Sequence, residues 1–419
     1  MPRVIVAGGG IGGMATALSL DAAGITDVEV YESAATIREL GVGLTLQPHA
    51  VRELAELGLL DELYATGVAL VGQAYFTKRG QRIWAEPRGL AAGHRWPQLA
   101  IHRGELLRVL YRAVLARLGA GHVHTGHHLA RFSEQRDGTV WVEFVDRRGG
   151  EPLSLVQGDV LVGADGVQSA VRRILHPQEG PPPWTGITMW RGTTEAEPFL
   201  GGQTMAQAGY HGRQIVVYPI SRRYADRGRA LVNWVALYRL GEGHPMGRQD
   251  WDYQGQLEDV LEPFGDYLFG WLDVPALFRR APAIYQYPLV DRDPLPRWGI
   301  GPVTLLGDAA HPMYPYGGNG TAQTILDARV LARALASAVT VADGLAGYEA
   351  QRRPATTEVV LANRRGGPEE CLDIVEQRAP DGFERIEDVI SVAELAAITR
   401  RYQRIADITP EKRSSDGAR

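Results

Sequence analysis

The feature that most constrains this chain is a strand, helix, strand pattern over Arg3 to Ser33. Val4 to Ala7 is a short apolar run, which is typical of a strand buried on both faces. It ends at three consecutive glycines, and the residues from there to Gly24 favour a helix. A second strand is predicted over Val28 to Tyr31. This unit predicts a parallel sheet and therefore an α/β fold.

Three glycines in the first turn match the pattern G-x-G-x-x-G, and each has a physical reason. Gly8 permits a tight turn, Gly10 lets the backbone approach a pyrophosphate, and Gly13 lets the helix pack closely on the strand. The helix N-terminus then offers free N–H groups and a positive dipole end to the phosphates. Glu32, at the end of the second strand, is placed to accept hydrogen bonds from ribose hydroxyls. The pattern predicts a dinucleotide site and leaves the identity of the dinucleotide open.

The composition is ordinary for a globular protein of two or three domains. The 419 residues include 44 basic and 49 acidic side chains, and this balance does not favour a nucleic-acid partner. The single cysteine, Cys371, cannot form an internal disulfide, which fits a reducing compartment. The uncharged run from Val4 to Leu20 is rich in glycine and leads into a strand. We therefore expect a cytoplasmic protein with neither a signal peptide nor a membrane segment.

A second buried strand is predicted to end at the Asp165-Gly166 turn, with a short helix after it. By itself this turn would fit any tight connection. Arg103 is the next charged residue of interest, because it stands at the start of a strongly periodic helix, where a cation is unfavourable for the helix dipole. We therefore predict that Arg103 points at an anionic group, with a plain surface arginine as the alternative.

A third strand, over Val303 to Leu306, delivers Asp308 at its end. The glycine-rich turn at Gly317 to Gly320 then precedes a helix predicted from Thr321 to about Val339. Such a turn before a helix N-terminus suits a ligand that carries negative charge.

Between Pro183 and Tyr287 the pattern changes to strand-like runs separated by turn-rich segments. This predicts a mostly antiparallel sheet in a second domain. The region is rich in aromatic residues, most of them core or sheet-face packing, while a few could line a flat, apolar ligand pocket. The candidates for this substrate pocket are Trp190, Arg191, Tyr218, Trp234 and Tyr314.

A group of histidines between positions 122 and 128 raises the question of a metal site. His122 and His124 fall on alternate positions of a strand that we expect to continue through Leu129 and Phe132. No cysteine lies nearby, and the nearest carboxylate after the group is Glu134. We therefore predict no metal site.

Taken together, the Gly8 unit, the Asp165-Gly166 turn and the Asp308 motif resemble those of the class A flavoprotein monooxygenases, the FAD-dependent aromatic hydroxylases. The resemblance covers Val4 to about Asn363, and it is strongest to phenazine hydroxylases, with salicylate-hydroxylase-like enzymes next. The segments that carry the closer match are Leu40 to Pro48 (LGVGLTLQP), Ala100 to Leu106 (AIHRGEL), Gly186 to Gly192 (GITMWRG), Leu231 to Val235 (LVNWV) and Tyr287 to Gly299 (YPLVDRDPLPRWG).

The resemblance implies FAD as the bound cofactor, with NADH or NADPH as a transient co-substrate. The ADP half would be held by the glycine turn, Glu32 and Arg103, with the backbone at Leu129 beside the adenine. Asp165 would serve both FAD and the nicotinamide cofactor, and Asp308 would accept hydrogen bonds from the ribityl chain. The full set of implied cofactor-binding residues is Gly8, Gly10, Gly13, Glu32, Val42, Gly43, Arg103, Leu129, Asp165, Asp308, Gly318, Asn319, Gly320 and Thr321.

The implied activity is hydroxylation of a small phenazine- or salicylate-like aromatic by dioxygen, through a flavin C4a-hydroperoxide, with or without decarboxylation. Because the flavin carries the chemistry, no catalytic side chain is named. Arg191 and Arg213 are candidate partners for a substrate carboxylate, with solvated surface charges as the alternative. The rival functions are a flavin oxidase or reductase without oxygen insertion and a non-catalytic FAD-binding redox sensor. We expect a monomer or a homodimer.

The resemblance also implies that the chain passes repeatedly between two domains. The Rossmann-like FAD-binding domain would take residues 1–71, 96–182 and 288–365, and the substrate domain would take the hairpin at 72–95 and residues 183–287. Residues 366–419 would form a helical segment and a frayed tail.

Overall fold

The computed structural model describes residues 1–37, 41–241, 244, 246–247 and 253–408. Its helices are α1 (Ile11–Ala22), α2 (Pro48–Glu56), α3 (Leu60–Thr66), α4 (Arg103–Arg117), α5 (Ala170–Leu175), α6 (Arg222–Ala225), α7 (Leu257–Phe264), α8 (Val274–Arg279), α9 (Gly320–Ser337), α10 (Val341–Arg364), α11 (Glu370–Arg378) and α12 (Val392–Ile405). Its strands are β1 (Val4–Ala7), β2 (Val28–Glu32), β3 (Gly43–Leu46), β4 (Val68–Leu70), β5 (Gly72–Phe76), β6 (Arg82–Pro87), β7 (Gln98–His102), β8 (Val123–Thr125), β9 (His127–Glu134), β10 (Val140–Asp146), β11 (Pro152–Gly158), β12 (Val160–Gly163), β13 (Trp184–Ala196), β14 (Thr204–Tyr210), β15 (Arg213–Pro219), β16 (Ala230–Arg239), β17 (Leu268–Phe269), β18 (Leu272–Asp273), β19 (Ile284–Val290) and β20 (Val303–Leu305). Leu40 and the predicted tail at Arg413 to Arg419 lie outside the described residues.

A five-stranded parallel sheet forms the first core, in the order β20-β12-β1-β2-β8. Its central strands are apolar and fully buried, because helices cover one face and the antiparallel sheet of β9, β10 and β11 packs near the other. Tyr31 of β2 stacks on Phe144 of β10 with ring centroids 4.1 Å apart. The predicted α/β fold with a parallel sheet is confirmed.

The strand expected to run from His122 through Phe132 is instead two strands, and that prediction was wrong. The chain breaks at Gly126, whose φ of +77° is a left-handed conformation that a strand does not contain. Before the break β8 extends the parallel sheet, and after it β9 joins the antiparallel one. His124 stacks on Tyr31 and hydrogen-bonds to Glu29 at 2.5 Å. Among the described residues, no group of three or more metal-ligating side chains could hold a metal ion.

A seven-stranded sheet forms the second core, in the order β19-β13-β16-β15-β14-β5-β6. Every pair is antiparallel except β14 with β5, so the predicted, mostly antiparallel sheet is confirmed. The hairpin of β5 and β6 turns near Arg79 and Gly80 and pairs through β5 with β14. Helices α7 and α8 cover one face of this sheet, and the other face looks toward β3 and the turn at Gly317.

The small sheet of β3, β7 and β4 contacts the seven-stranded sheet, through β7 and β15. The backbone N–H of Gly43, in β3, donates to Asn233 Oδ1 of β16 at 2.6 Å. Helices α11 and α12 lie within residues 366–408, where the helical C-terminal segment was predicted. None of the helices in the described ranges combines the length and apolarity needed to cross a bilayer.

Candidate active site

The carboxyl ends of the parallel strands bring the sequence motifs to one edge of the sheet, beginning with the glycine turn after β1. Gly8 has φ +111°, and a side chain there would collide with the carbonyl group of Ala164. A Cβ on Gly13 would collide with the Gly8 carbonyl oxygen, so the helix can approach the strand only without it. A Cβ on Gly10 would meet no protein atom within 4 Å. The first two glycines therefore serve the fold, whereas Gly10 leaves open space at the N-terminus of α1.

Glu32 closes the same turn from the end of β2. Its Oε2 accepts the N–H of Gly9 at 2.7 Å, and its Oε1 accepts the N–H of Ala34 at 2.6 Å. The Ser33 hydroxyl also donates to Oε1, at 3.2 Å, so Oε2 is the oxygen with room for a further donor such as a hydroxyl. The carboxylate is thus held beside the start of α1, where the dinucleotide pattern requires it.

Arg103 and Asp308 lie near the same turn and close enough to influence each other electrostatically. Arg103 begins α4, and its N–H donates to the Val42 carbonyl at 2.9 Å. Enclosure by the protein lowers the pKa of Arg103, while the nearby Asp308 and Glu32 raise it. The same enclosure raises the pKa of Asp308, which Arg103 lowers. Both side chains nevertheless reach solvent through the cleft, so a ligand there would contact a cation and a carboxylate.

A buried carboxylate that the sequence analysis missed supports the loop carrying Asp308. Asp327 of α9 accepts the N–H of Gly307 at 3.1 Å, His311 Nε2 at 2.5 Å and Arg352 Nε at 2.7 Å. Burial alone would raise the pKa of Asp327, but His311 and Arg352 lower it overall. The network fixes the end of β20 and with it the position of Asp308.

The carboxylate of Asp165 accepts hydrogen bonds from the start of the helix that follows it. Its Oδ2 accepts the N–H of Ala170 at 2.7 Å, and its Oδ1 accepts the hydroxyl of Ser169. The carboxylate therefore caps α5, and the part of this turn nearest the glycine motif is the backbone of Ala164 and Asp165, which contacts Gly8. Leu129 is buried in β9, which packs against β2.

The turn at Pro315 to Gly318 is held by hydrogen bonds from side chains in three other parts of the chain. Gln47 Nε2 donates to the Gly317 carbonyl at 3.0 Å, and Thr45 Oγ1 donates to the Gly318 carbonyl at 3.2 Å. The Tyr402 hydroxyl, from α12, donates to the Tyr316 carbonyl at 3.1 Å. Asn319 is the residue before α9, and Gly320 and Thr321 open that helix, so their N–H groups lie at its N-terminal end.

Gly43 shows why β3 needs a glycine at this point. A Cβ there would lie 2.6 Å from both the Asn233 Cβ and the Ile220 Cγ2. The strand after Val42 can therefore lie directly against the seven-stranded sheet, and the cofactor cleft meets the second domain at this contact.

A cavity opens between this turn and the free face of the seven-stranded sheet. Its empty space, counted together with its open mouth, is about 560 Å³. Its lining residues are Thr45, Gln47, Gln73, Gln98, Met205, Gln207, Gln214, Val216, Tyr218, Val235, Leu237, Pro315, Tyr316, Gly317, Gly318 and Glu369. Strand pairing places Arg191 opposite Val235, and Val235 opposite Val216, so the Arg191 side chain lies on the same face, beside the cavity.

Two tryptophans expected in the pocket are on the other face of the sheet, and this expectation is corrected. Trp190 and Trp234 alternate with Arg191 and Val235 along their strands, so they point away from the cavity. Trp234 is fully buried, donates to Thr194 Oγ1 at 3.1 Å and packs on Phe278 of α8.

The remaining pocket candidates divide between the cavity and its surroundings. Tyr218 lines the cavity, and burial raises its pKa to about 12. Tyr314 belongs to an adjoining apolar cluster, and its neighbour Tyr316 lines the cavity instead. Arg213 ion-pairs with Asp266 and lies 4.5 Å from the Tyr267 ring, on the face covered by α7. Arg213 therefore does not reach the cavity.

The cavity also contains polar residues that the sequence analysis missed. Five glutamines line it, and each is buried: Gln47, Gln73, Gln98, Gln207 and Gln214. Three of them, on β5, β14 and β15, are each followed by an apolar residue and lie on the same face of the sheet. A glutamine beside apolar residues in a predicted strand was the available signal. Glu369, which follows α10, had none.

Comparison with known proteins agrees with this geometry. A family model described as "FAD binding domain" matches residues 1–200 and 290–363. The chain belongs to this FAD-binding family. It is 47% identical over 405 residues to phenazine 1,6-dicarboxylic acid hydroxylase of Lysobacter antibioticus, covering 96% of this chain and 97% of the relative. It is 29% identical over 394 residues to salicylate hydroxylase of Pseudomonas putida, covering 84% and 81%.

A solved structure shares the complete architecture. A variant of Klebsiella pneumoniae HpxO, solved with FAD, has a TM-score of 0.72 and 26% identity, covering 97% of this chain and 95% of that one. The enzyme is thus a FAD-dependent aromatic hydroxylase that uses NADH or NADPH, like the enzymes of its class. The open approach at Gly10, the fixed carboxylate of Glu32 and the Arg103–Asp308 cleft fit this cofactor.

Proposed function

We propose that the enzyme hydroxylates a planar aromatic acid of the phenazine or salicylate type in the cavity under the Gly317 turn. The observation that carries this proposal is the position of the cavity, between a polar sheet face and the turn beside the cofactor cleft. The names of the two relatives, a phenazine dicarboxylic acid hydroxylase and a salicylate hydroxylase, support a carboxylated aromatic substrate.

The residues that would hold FAD follow from the cleft. The turn at Gly8 to Gly13 and Glu32 would bind the ADP half, Arg103 would face the phosphates, and Asp308 would accept hydrogen bonds from the ribityl chain. Val42, Gly43 and the residues from Gly318 to Thr321 would border the ring. Bound FAD supplies the redox chemistry, taking reducing equivalents from NADH or NADPH and activating dioxygen. The protein orients the aromatic ring and keeps water from it.

Arg191 is the proposed partner of the substrate carboxylate. Burial lowers its pKa to about 10, with Tyr218 and Tyr287 raising it and Arg103 lowering it. The guanidinium therefore stays charged at neutral pH, in surroundings where a charge-assisted hydrogen bond is stronger than in water. A carboxylate bound there would keep the aromatic ring on the polar face of the sheet.

A substrate panel tests this proposal. Phenazine, phenazine-1-carboxylate, phenazine-1,6-dicarboxylate, benzoate and salicylate would be compared by the stimulation of NADH and NADPH oxidation, with product mass measured under labelled dioxygen. We expect one labelled oxygen in the product of at least one acid. Quantitative peroxide release with no labelled product would favour the oxidase, and no stimulation by any aromatic would favour the redox sensor.

Arg191→Gln separates carboxylate binding from general damage. We expect a rise of tenfold or more in KM for the carboxylated substrate, on the order of 1.4 kcal/mol or more, with flavin content unchanged. The matched control is Arg213→Gln, on the same sheet but away from the cavity. Equal losses in the two variants would contradict the assignment.

Two further proposals concern the enzyme as a whole. The buried single cysteine supports work in a reducing compartment, and we propose the cytoplasm. We also propose a monomer or homodimer, which light scattering coupled to size exclusion would distinguish.

A further inference from the structure

Glu369 is a buried carboxyl group in the wall of the proposed substrate cavity. It ends a short 3-10 helix, Gly367–Glu369, in a part of the chain beyond the residues that the FAD-binding family model matches. Its side chain is almost inaccessible to solvent. A buried acid is rare without a specific set of partners, so its contacts identify what it does.

The Oε1 of Glu369 joins the cofactor side of the cavity to the substrate side. It accepts the N–H of Gly317 at 3.1 Å and Nε2 of Gln207 at 2.9 Å. Gln207 Oε1 in turn accepts Nε2 of Gln214 at 2.8 Å. One continuous hydrogen-bond chain therefore runs from the turn beside the flavin site, through Glu369, to the face of β15.

The acid also sets the direction of this chain. While Glu369 is ionised its oxygens can only accept, so Gln207 must present its NH₂ to Glu369 and its oxygen to Gln214; the neutral acid keeps this direction when its proton is on Oε2. Gln214 uses its NH₂ on Gln207, which leaves its amide oxygen as its other hydrogen-bonding end. Gln214 lines the cavity, so the wall there offers an acceptor.

Most of the titratable groups around Glu369 are neutral near neutral pH. Tyr75, Tyr316, Cys371 and Tyr402 all have raised pKa values because of burial, and they stay neutral. Arg88 stays charged and pairs with Glu86 at 2.5 Å. His211, which hydrogen-bonds to the Tyr316 hydroxyl, has a lowered pKa. Burial raises the pKa of Glu369 to about 7, against the lowering effect of Gln207, Gly317 and Arg88.

We infer that Glu369 is a positioning residue for substrate recognition: through Gln207 it fixes Gln214 so that its amide oxygen accepts a hydrogen bond from a hydroxyl or N–H on the aromatic substrate. This inference rests on the proposed function of the cavity. It adds a second recognition element to the proposed carboxylate contact at Arg191. Ionised Glu369 polarises the amide chain more than the neutral form, so recognition of the donor strengthens as pH rises through neutrality.

The test uses two probes that differ by one hydroxyl, 2-hydroxyphenazine-1-carboxylate and phenazine-1-carboxylate. Calorimetry on the FAD-loaded enzyme would give the ratio of their dissociation constants. We expect wild type to favour the hydroxylated probe by about tenfold. We expect Glu369→Leu and Gln214→Leu each to bring the ratio near one, and the double variant to lose no more than either single variant. Glu369→Gln, which can still accept both N–H groups, should keep a preference but lose its change between about pH 6 and pH 8.

The outcomes distinguish a role of Glu369 in recognition from a merely structural role and from failure of the proposed function. Equal weakening of both probes in Glu369→Leu would mean a merely structural role and would overturn the inference, as would a Glu369→Gln variant with wild-type pH dependence. If Glu369→Leu does not fold, Gln214→Leu and Glu369→Gln decide the question. A wild type that binds both probes with a ratio of one contradicts this inference alone. A wild type that binds neither probe and hydroxylates no aromatic acid contradicts the proposed function too.

Discussion

The raised pKa of Glu369 makes the stability of the enzyme depend on pH in a way that one substitution should remove. The carboxyl group of Glu369 has a pKa near 4.5 in the unfolded chain and about 7 in the folded protein. As pH rises, it therefore ionises in the unfolded chain before it ionises in the folded one. Between these values the folded state holds the extra proton, so the free energy of unfolding falls as pH rises. Each pH unit well below the folded pKa costs about 1.36 kcal/mol and the slope falls as Glu369 titrates, so the loss from about pH 5.5 to pH 8 is about 2 kcal/mol.

Glu369→Gln cannot ionise, so this loss should disappear. Urea unfolding of FAD-saturated wild type and variant would be compared at about pH 5.5 and pH 8. Any fixed cost of placing an amide beside Gly367 is the same at both pH values and cancels in the difference. We expect the stability of the variant, relative to wild type, to rise by about 2 kcal/mol between the two conditions. If the stability difference between variant and wild type is the same at both pH values, Glu369 is not a buried, neutral acid. If the variant instead loses stability relative to wild type as pH rises, folding lowers the pKa of Glu369.

Three other substitutions test single contacts. Gly10→Ala should lower FAD retention but leave the melting temperature of the apoprotein within about 2 °C, because the added Cβ meets no protein atom. Gly347→Ala is the control, since that glycine also has open space around it. A normal ratio of flavin absorbance to protein in Gly10→Ala would contradict this prediction. Trp234→Phe should lower the free energy of unfolding by about 1–3 kcal/mol but leave KM unchanged, since the Trp234 ring faces α8. A raised KM would mean that Trp234 does contribute to the substrate pocket. Asp327→Asn should cost about 3–5 kcal/mol in denaturant unfolding by leaving Arg352 unpaired, and a loss under 1 kcal/mol would mean that the network is dispensable.

The parts of the fold that the sequence predicted well are those set by neighbouring residues. The glycine turn, the strand before it and the acid after β2 all lie within one short unit, and their physical requirements can be read locally. The same holds for the Asp308 strand end and the helix after it. The strand expected through His122 failed for a local reason too, because Gly126 can adopt a conformation that side-chain alternation does not reveal.

The residues that line the cavity were harder to predict from the sequence, because they depend on which face of the seven-stranded sheet the helices cover. Trp190 and Arg191 are neighbours in one strand, and only the packing of α7 and α8 decides which of the two faces the cavity. Aromatic character suggested a ligand pocket, yet the helices bury the tryptophans and leave the glutamines facing the cavity. Glu369 depends on residues 162 and 52 positions away, at Gln207 and Gly317, so no local pattern could have indicated it.

The contact between Tyr402 and the turn at Gly317 has a consequence for how the enzyme is made. The Tyr402 ring occupies the space where a side chain on residue 317 would lie, and its hydroxyl also donates to the Tyr316 carbonyl. During synthesis the first glycine turn leaves the ribosome hundreds of residues before α12 does. The wall of the cofactor site is therefore finished only when α12 has emerged and docked, and a ribosome-bound chain shorter than that should not yet retain flavin.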